Sequence, residues 1–275
     1  MNMPKRVYTF AMTIAAVAVL AVSVSCETHR IQTTPHGARP TATGRVYAYA
    51  GFPRGHQEIL VLRNQGFVVG YSEQRRDPLW VCYRVFRVGT EVLPDRPSRF
   101  LVDDRTRSRV PPEAYAGSGY DRGHMAPNFA IATRYGQAAQ AETFLMSNIV
   151  PQAPRLNRGM WQRLEMLASK TYAPRCDEVW IIAGPVFDRN IQALRSGVEI
   201  PDACYQIILD ELNDRPRVLA FVIPQDVPLN ARLEDYLRSV DDVEAMAGLD
   251  FLSELPDELE GSLEAQRPTT LWNPN

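Results

Sequence analysis

The sequence is poor in the residues that build structural metal centres. Four cysteines and four histidines in 275 residues, with no CxxC pair and no Cys/His spacing of the zinc-binding kind, argue against structural zinc. No histidine follows His124. Lysine is nearly absent, Lys5 and Lys170 being the only two, so almost every base is an arginine. Arginine offers a planar fork suited to phosphate oxygens, although the same preference also follows from a GC-rich genome. Long apolar runs are missing too: the longest, Val7 to Val22, is shorter than the roughly 20 residues a membrane span needs. With 45% hydrophobic and 23% charged residues, the composition is that of a soluble globular protein rather than a disordered one. No internal repeat and no second domain boundary are visible.

The net charge of −2 argues only weakly against a polyanionic partner, because the charge is unevenly placed. Residues 225–275 hold twelve acids and three arginines, whereas the remainder holds 27 bases against 20 acids. The body is therefore basic and the tail acidic.

At the N-terminus Lys5 and Arg6 precede the apolar run, and Ser23-Val24-Ser25 supplies small residues for cleavage before Cys26. This pattern fits a signal peptide over residues 1–25 and hence export. A cysteine in the first mature position also fits a lipid anchor, with Ser23 in place of the usual leucine. Location in the periplasm, at the cell envelope or in the medium all follow from these alternatives. Residues 26–45 are polar and rich in Thr, Pro, Gly and Arg, as expected of a flexible linker. Cys82, Cys176 and Cys204 leave room for one disulfide in an oxidising compartment, its pairing open.

Val46–Ala50, Ile59–Leu62, 66–71 and 79–86 predict strands, the last supported by its aromatic and β-branched content. Trp80 and Tyr83 there read best as core residues. Residues 90–120 are broken by four prolines and predict a loop, dense in Arg96, Arg99, Arg105, Arg107 and Arg109. Such a loop either tracks a phosphate backbone or is a solvated loop balanced by Asp95, Asp103 and Asp104. Pro151 and Pro154 delay the next helix, so that Asn157 is expected at its N-cap and Trp161, Leu164, Leu167 and Ala168 along one face. Strands follow at 179–183, 205–209 and 218–223. An amphipathic helix is expected over 233–246, and a loose acidic tail over 258–275. The whole is one α+β domain over residues 46–257 with a mixed or antiparallel central sheet.

The chemistry centres on Asp121-Arg122-Gly123-His124 and on the stretch from Asn148 through Asn157 to Glu165. Phosphodiester hydrolysis needs a base for water, balance for phosphoryl charge and stabilisation of the leaving oxygen. His124 is the natural base near neutral pH. In an extended block Arg122 points to the same side and supplies a phosphate fork. The Asn157 side-chain oxygen is a hard ligand suited to Mg²⁺, an ion that keeps several waters. Glu165, eight residues on, falls about 80° around an α-helix from Asn157, which suits it to hold a metal-bound water.

The runs 120–127 (YDRGHMAP), 147–152 (SNIVPQ) and 156–161 (LNRGMW) with Glu165 resemble the DNA/RNA non-specific endonuclease family, which includes secreted bacterial nucleases and mitochondrial endonuclease G. Trp80-Val81, 183–187 (AGPVF) and 243–251 (VEAMAGLDF) extend the resemblance to roughly residues 46–255. It implies a ββα-metal (His-Me finger) core and hydrolysis of both DNA and RNA. It further implies His124 as general base, Arg122 as phosphate contact, Asn148 as a supporting catalytic residue, Asn157 as Mg²⁺ ligand (Mn²⁺ as substitute ion) and Glu165 as holder of its water. Arg99 is aligned only loosely with an upstream family arginine. Met125 and Gln206 depart from the usual family residues. Two other readings compete. An HNH-type nuclease would normally bring a second histidine ligand after His124, which is lacking. An inactive surface protein that binds extracellular nucleic acid would be expected to have lost His124 or Asn157.

Overall fold

The computed structural model describes residues 46–273. The expected signal peptide, Cys26 and most of the linker lie outside the described residues. Seven antiparallel strands form the central sheet: β1 (Leu60–Arg63), β2 (Phe67–Ser72), β3 (Asp77–Phe86), β6 (Glu178–Val186), β7 (Ala203–Leu212), β8 (Arg215–Pro224) and β9 (Leu237–Arg238). Their spatial order is β9-β8-β7-β6-β3-β2-β1. Between β3 and β6 the chain leaves the sheet to build a separate hairpin, β4 (Asp121–His124) with β5 (Ile149–Gln152).

Both faces of the sheet are covered, which explains why its strands read as nearly continuous apolar runs. Alternate residues enter different layers. Val81, Tyr83 and Val85 join the layer beneath the hairpin, whereas Trp80 and Cys82 face the opposite layer. Trp80 and Tyr83 are both buried, as a core role requires.

The first layer is capped by α1 (Asn128–Tyr135), α2 (Gln137–Glu142) and a long helix, α3, over residues 154–176. Its Leu156, Met160, Trp161, Leu164 and Ala168 are buried against the sheet. Two stretches of α3, Leu156–Trp161 and Leu167–Tyr172, are π-helical. The second layer contains α4 (Val240–Ala247) and α5 (Asp257–Glu264).

Several local expectations are corrected. Residues 46–50 form bends rather than a strand, with Ala48, Tyr49 and Ala50 buried and Val46 exposed. The helix expected over 233–246 is a short 3₁₀ turn and strand followed by α4, because Ser239 caps the helix there: its Oγ accepts from Asp242 N at 3.1 Å. The acidic tail is not loose. Leu263 is buried in the second layer, and Trp272 packs against Tyr172 with the rings tilted and their centroids 4.9 Å apart. Its apolar contacts are too widely spaced to register as a period. Cys82, Cys176 and Cys204 are free thiols, and Cys82 and Cys204 lie in opposite core layers.

Candidate active site

Hairpin register fixes the presentation of the block. Arg122 pairs with Pro151, Gly123 with Val150 and His124 with Ile149. Arg122 and His124 therefore share the outer side while Gly123 faces inward. A Cβ on Gly123 would lie 2.2 Å from Gln152 Oε1 and 2.3 Å from its Cδ. Gln152 is wholly buried, with Nε2 donating to Cys204 Sγ at 3.4 Å, so it cannot swing away freely. Gly123→Ala is expected to destabilise the fold by about 1–3 kcal/mol through overpacking, measured by urea unfolding; wild-type stability would show that the hairpin can shift at little cost.

His124 sits in an aromatic setting. Its ring centroid is 5.4 Å from Phe100 and 5.1 Å from Phe144, and its Nε2 is buried with no hydrogen-bond partner. Desolvation, and secondarily the charge of Arg96, push its pKa down to about 3. The imidazole is thus neutral at physiological pH and able to accept a proton. The same shift implies that His124 disfavours the folded state as pH falls from about 6.5 towards 3, since protons then bind the unfolded chain more readily. Arg122 stacks 4.9 Å above Phe100 and donates to the Pro112 carbonyl at 2.9 Å. Arg96 lies 5.0 Å above Phe144. Two guanidinium groups thus flank the histidine on an aromatic shelf.

Asn148 does not line the cleft. It is fully buried, its Oδ1 accepting from Ala126 N at 2.8 Å. Its Nδ2 donates to the carbonyls of Ala126 at 3.0 Å and Thr143 at 2.9 Å. Asn148 therefore pins the chain just after His124, as a positioning residue. From α3, Trp161 Nε1 donates to the His124 carbonyl at 3.3 Å and docks the helix against the hairpin.

Asn157 occupies the first turn of α3 rather than its N-cap, its backbone N–H already bonded to Ala153 O at 2.9 Å. The helix begins earlier than expected because Pro154 is tolerated at a first helical position, where its missing N–H would be unpaired anyway. Asp121 accepts from Asn157 Nδ2 at 2.9 Å and from Arg158 Nε and Nη2 at 2.7 and 2.6 Å. Arg158 is the leading cause holding the Asp121 carboxyl below its usual range. With Nδ2 committed to Asp121, Oδ1 is the Asn157 side-chain atom left to bind a cation.

Glu165 is closer in angle to Asn157 than an ideal α-helix allows. A π turn takes up about one residue more than an α turn, which removes about 100° from the 80° offset. Both residues line one cleft of about 240 Å³ together with His124, Arg122, Arg96 and Arg158. Burial raises the Glu165 carboxyl to about 8, with the Trp161 indole lowering it by a smaller amount. A carboxyl so raised and an amide oxygen left free fit a hard cation, which would favour the ionised form. A donor set this small suits an ion that keeps most of its waters.

Arg96, rather than the loosely aligned Arg99, lines the cleft. Its place beside Phe144 could not be read from a loop without periodicity. Arg105 and Arg109 pair instead with Asp103 and Asp104 of the same loop, and Arg107 with Glu58 outside it, as in a loop whose charge is balanced by neighbouring acids. Asp121 and Arg158 were visible as motif neighbours, but only the contact between hairpin and helix reveals their link to Asn157.

Comparison with known proteins agrees with this architecture. Residues 47–258 match the family described as DNA/RNA non-specific endonuclease. A "Nuclease" of Nostoc sp. is 31% identical over 89% of this chain and 88% of its own length. The "Nuclease" of Serratia marcescens is 32% identical over 78% and 84%. Human mitochondrial Nuclease EXOG is 30% identical over 74% of this chain, which spans 60% of that longer protein. Among solved structures, one described as an EndoG/EndoGI complex superimposes with a TM-score of 0.66, at 24% identity over 72% of this chain and 88% of that one, a likeness of fold. The chain belongs to the DNA/RNA non-specific endonuclease family, metal-dependent hydrolases of phosphodiester bonds.

Proposed function

We propose that this enzyme is an exported, Mg²⁺-dependent endonuclease that cleaves DNA and RNA alike, with His124 as its general base. The observation that carries this reading is the meeting of a neutral histidine, Asn157, Glu165 and three arginines in one cleft. Since Nε2 is enclosed by aromatic rings, Nδ1 is the nitrogen that takes the proton of the attacking water. Arg122 and Arg96 hold phosphoryl oxygens and balance their growing charge. Asn157 would bind Mg²⁺ and Glu165 would orient one of its waters; the bound ion supplies Lewis-acid stabilisation of the leaving oxygen. Contacts of this kind are to phosphate and carry no base information directly. The test is incubation of the purified chain with circular plasmid and with structured RNA in Mg²⁺. Nicking of the circle and cleavage of the RNA support the reading; inertness towards both defeats it and favours a binding protein.

Arg96 also offers a check on the electrostatics. Arg96→Gln should raise the His124 pKa and move the acid limb of the kcat/KM profile to higher pH, by less than desolvation alone contributes. An unmoved acid limb would remove the Arg96 charge from the account.

Export and anchoring rest on the N-terminal sequence, and we favour the tethered form because Cys26 stands at the first mature position. No helix among the described residues is long and apolar enough to cross a membrane. Cys26→Ser should move the enzyme from the membrane fraction to the soluble fraction. Identical soluble distributions for both forms would end the lipid proposal and leave export standing.

A further inference from the structure

On the sheet face opposite the cleft, α4 and α5 bring carboxylates together. Asp241, Glu244 and Glu264 each offer an oxygen, and these oxygens lie within 4.8 Å of one another. That spacing is what a shared ion about 2.4 Å from each oxygen permits. Acidic residues on a surface often gather without a ligand, but Glu264 is different. It is only 6% exposed, and its Oε1 is buried with no hydrogen-bond partner. An unpaired buried carboxylate oxygen is costly unless protonated or bound to a cation. Glu264 is also the last residue of α5, where the helix end is itself negative and no base lies in the last turn. Asp250 and Glu260 add further negative potential at both Glu244 and Glu264, and burial with these neighbours raises the Glu264 carboxyl to about 8.

We propose that Asp241, Glu244 and Glu264 form a Ca²⁺ site that fastens the C-terminal helix α5 to α4. Calcium suits it better than magnesium, since it accepts several carboxylates in flexible geometry, whereas Mg²⁺ demands a near-ideal octahedron and dehydrates reluctantly. One ligand is already oriented: Glu244 Oε1 accepts from Phe251 N at 2.7 Å. The site lies in the second layer, with Val240, Val243 and Leu263 of the same two helices buried there. Its role is therefore stabilisation of the fold, separate from the ion needed for cleavage.

Thermal unfolding of the full chain after EDTA treatment and its removal tests this, with CaCl₂ then added back. At a Ca²⁺ concentration about a hundredfold above Kd, the wild type should gain about 5–10 °C in Tm. Asp241→Asn with Glu264→Gln, both close in shape to the native side chains, should lose this gain and keep Mg²⁺-dependent cleavage. Asn157→Ala should keep the gain, which separates this site from the cleft. An equal Ca²⁺ response in wild type and the double variant, or none in either, would overturn the proposal. Loss of the response in Asn157→Ala alone would assign the ion to the cleft and overturn it too.

Discussion

Replacing His124 by alanine is expected to lower turnover about 10²–10⁴-fold, the range for loss of a positioned general base. Nucleic-acid binding should change little, because Arg96 and Arg122, the arginines proposed to meet phosphate, remain on Phe144 and Phe100. The fold should tolerate the change as well: His124 Nε2 has no hydrogen bond to lose, and the Trp161 contact is made to the backbone carbonyl. The variant should lose part of the acid-side instability, since the unfolded chain no longer gains a proton at position 124 below about pH 6.5. The measurement is single-turnover cleavage beside a binding isotherm. Retention of wild-type cleavage would remove His124 from the chemistry.

Asn157→Ala is expected to weaken Mg²⁺ binding and cleavage together, by more than about 100-fold, because it deletes the one direct protein ligand proposed above. Glu165→Gln should cost about 10–100-fold, the usual range for a residue that orients a bound water. The amide keeps an acceptor while giving up the charge. The two are distinguished by the Mg²⁺ concentration giving half-maximal cleavage, which Asn157→Ala should raise further. If Glu165→Gln raised it more, the two residues would exchange roles.

Much of this site is legible along the chain because its key residues sit on two local elements. Alternation along a four-residue strand places Arg122 and His124 on one side, and the hairpin register agrees. The sheet strands are legible for a similar reason, their apolar content marking every one of the long strands. What escapes the sequence is what depends on contact between distant segments. Asp121 sets the Asn157 amide across 36 positions, and Arg96 reaches the cleft from a loop whose path has no periodic signature. Glu165 shares a side with Asn157 because of a π turn, which no apolar spacing announces. The C-terminal tail escapes because composition describes its solvent side, while a few apolar residues, Leu263 and Trp272 among them, hold it down.

The proposed mechanism requires one cleft to join a histidine base to a cation bound by Asn157, with Glu165 orienting one of its waters. The most direct measurement is nicking of supercoiled plasmid by the purified chain in excess EDTA, followed by stepwise return of Mg²⁺. Nicking that is lost in EDTA and restored by Mg²⁺, with half-maximal activity displaced upward in Asn157→Ala, is the predicted result. Nicking that continues undiminished in EDTA would contradict it.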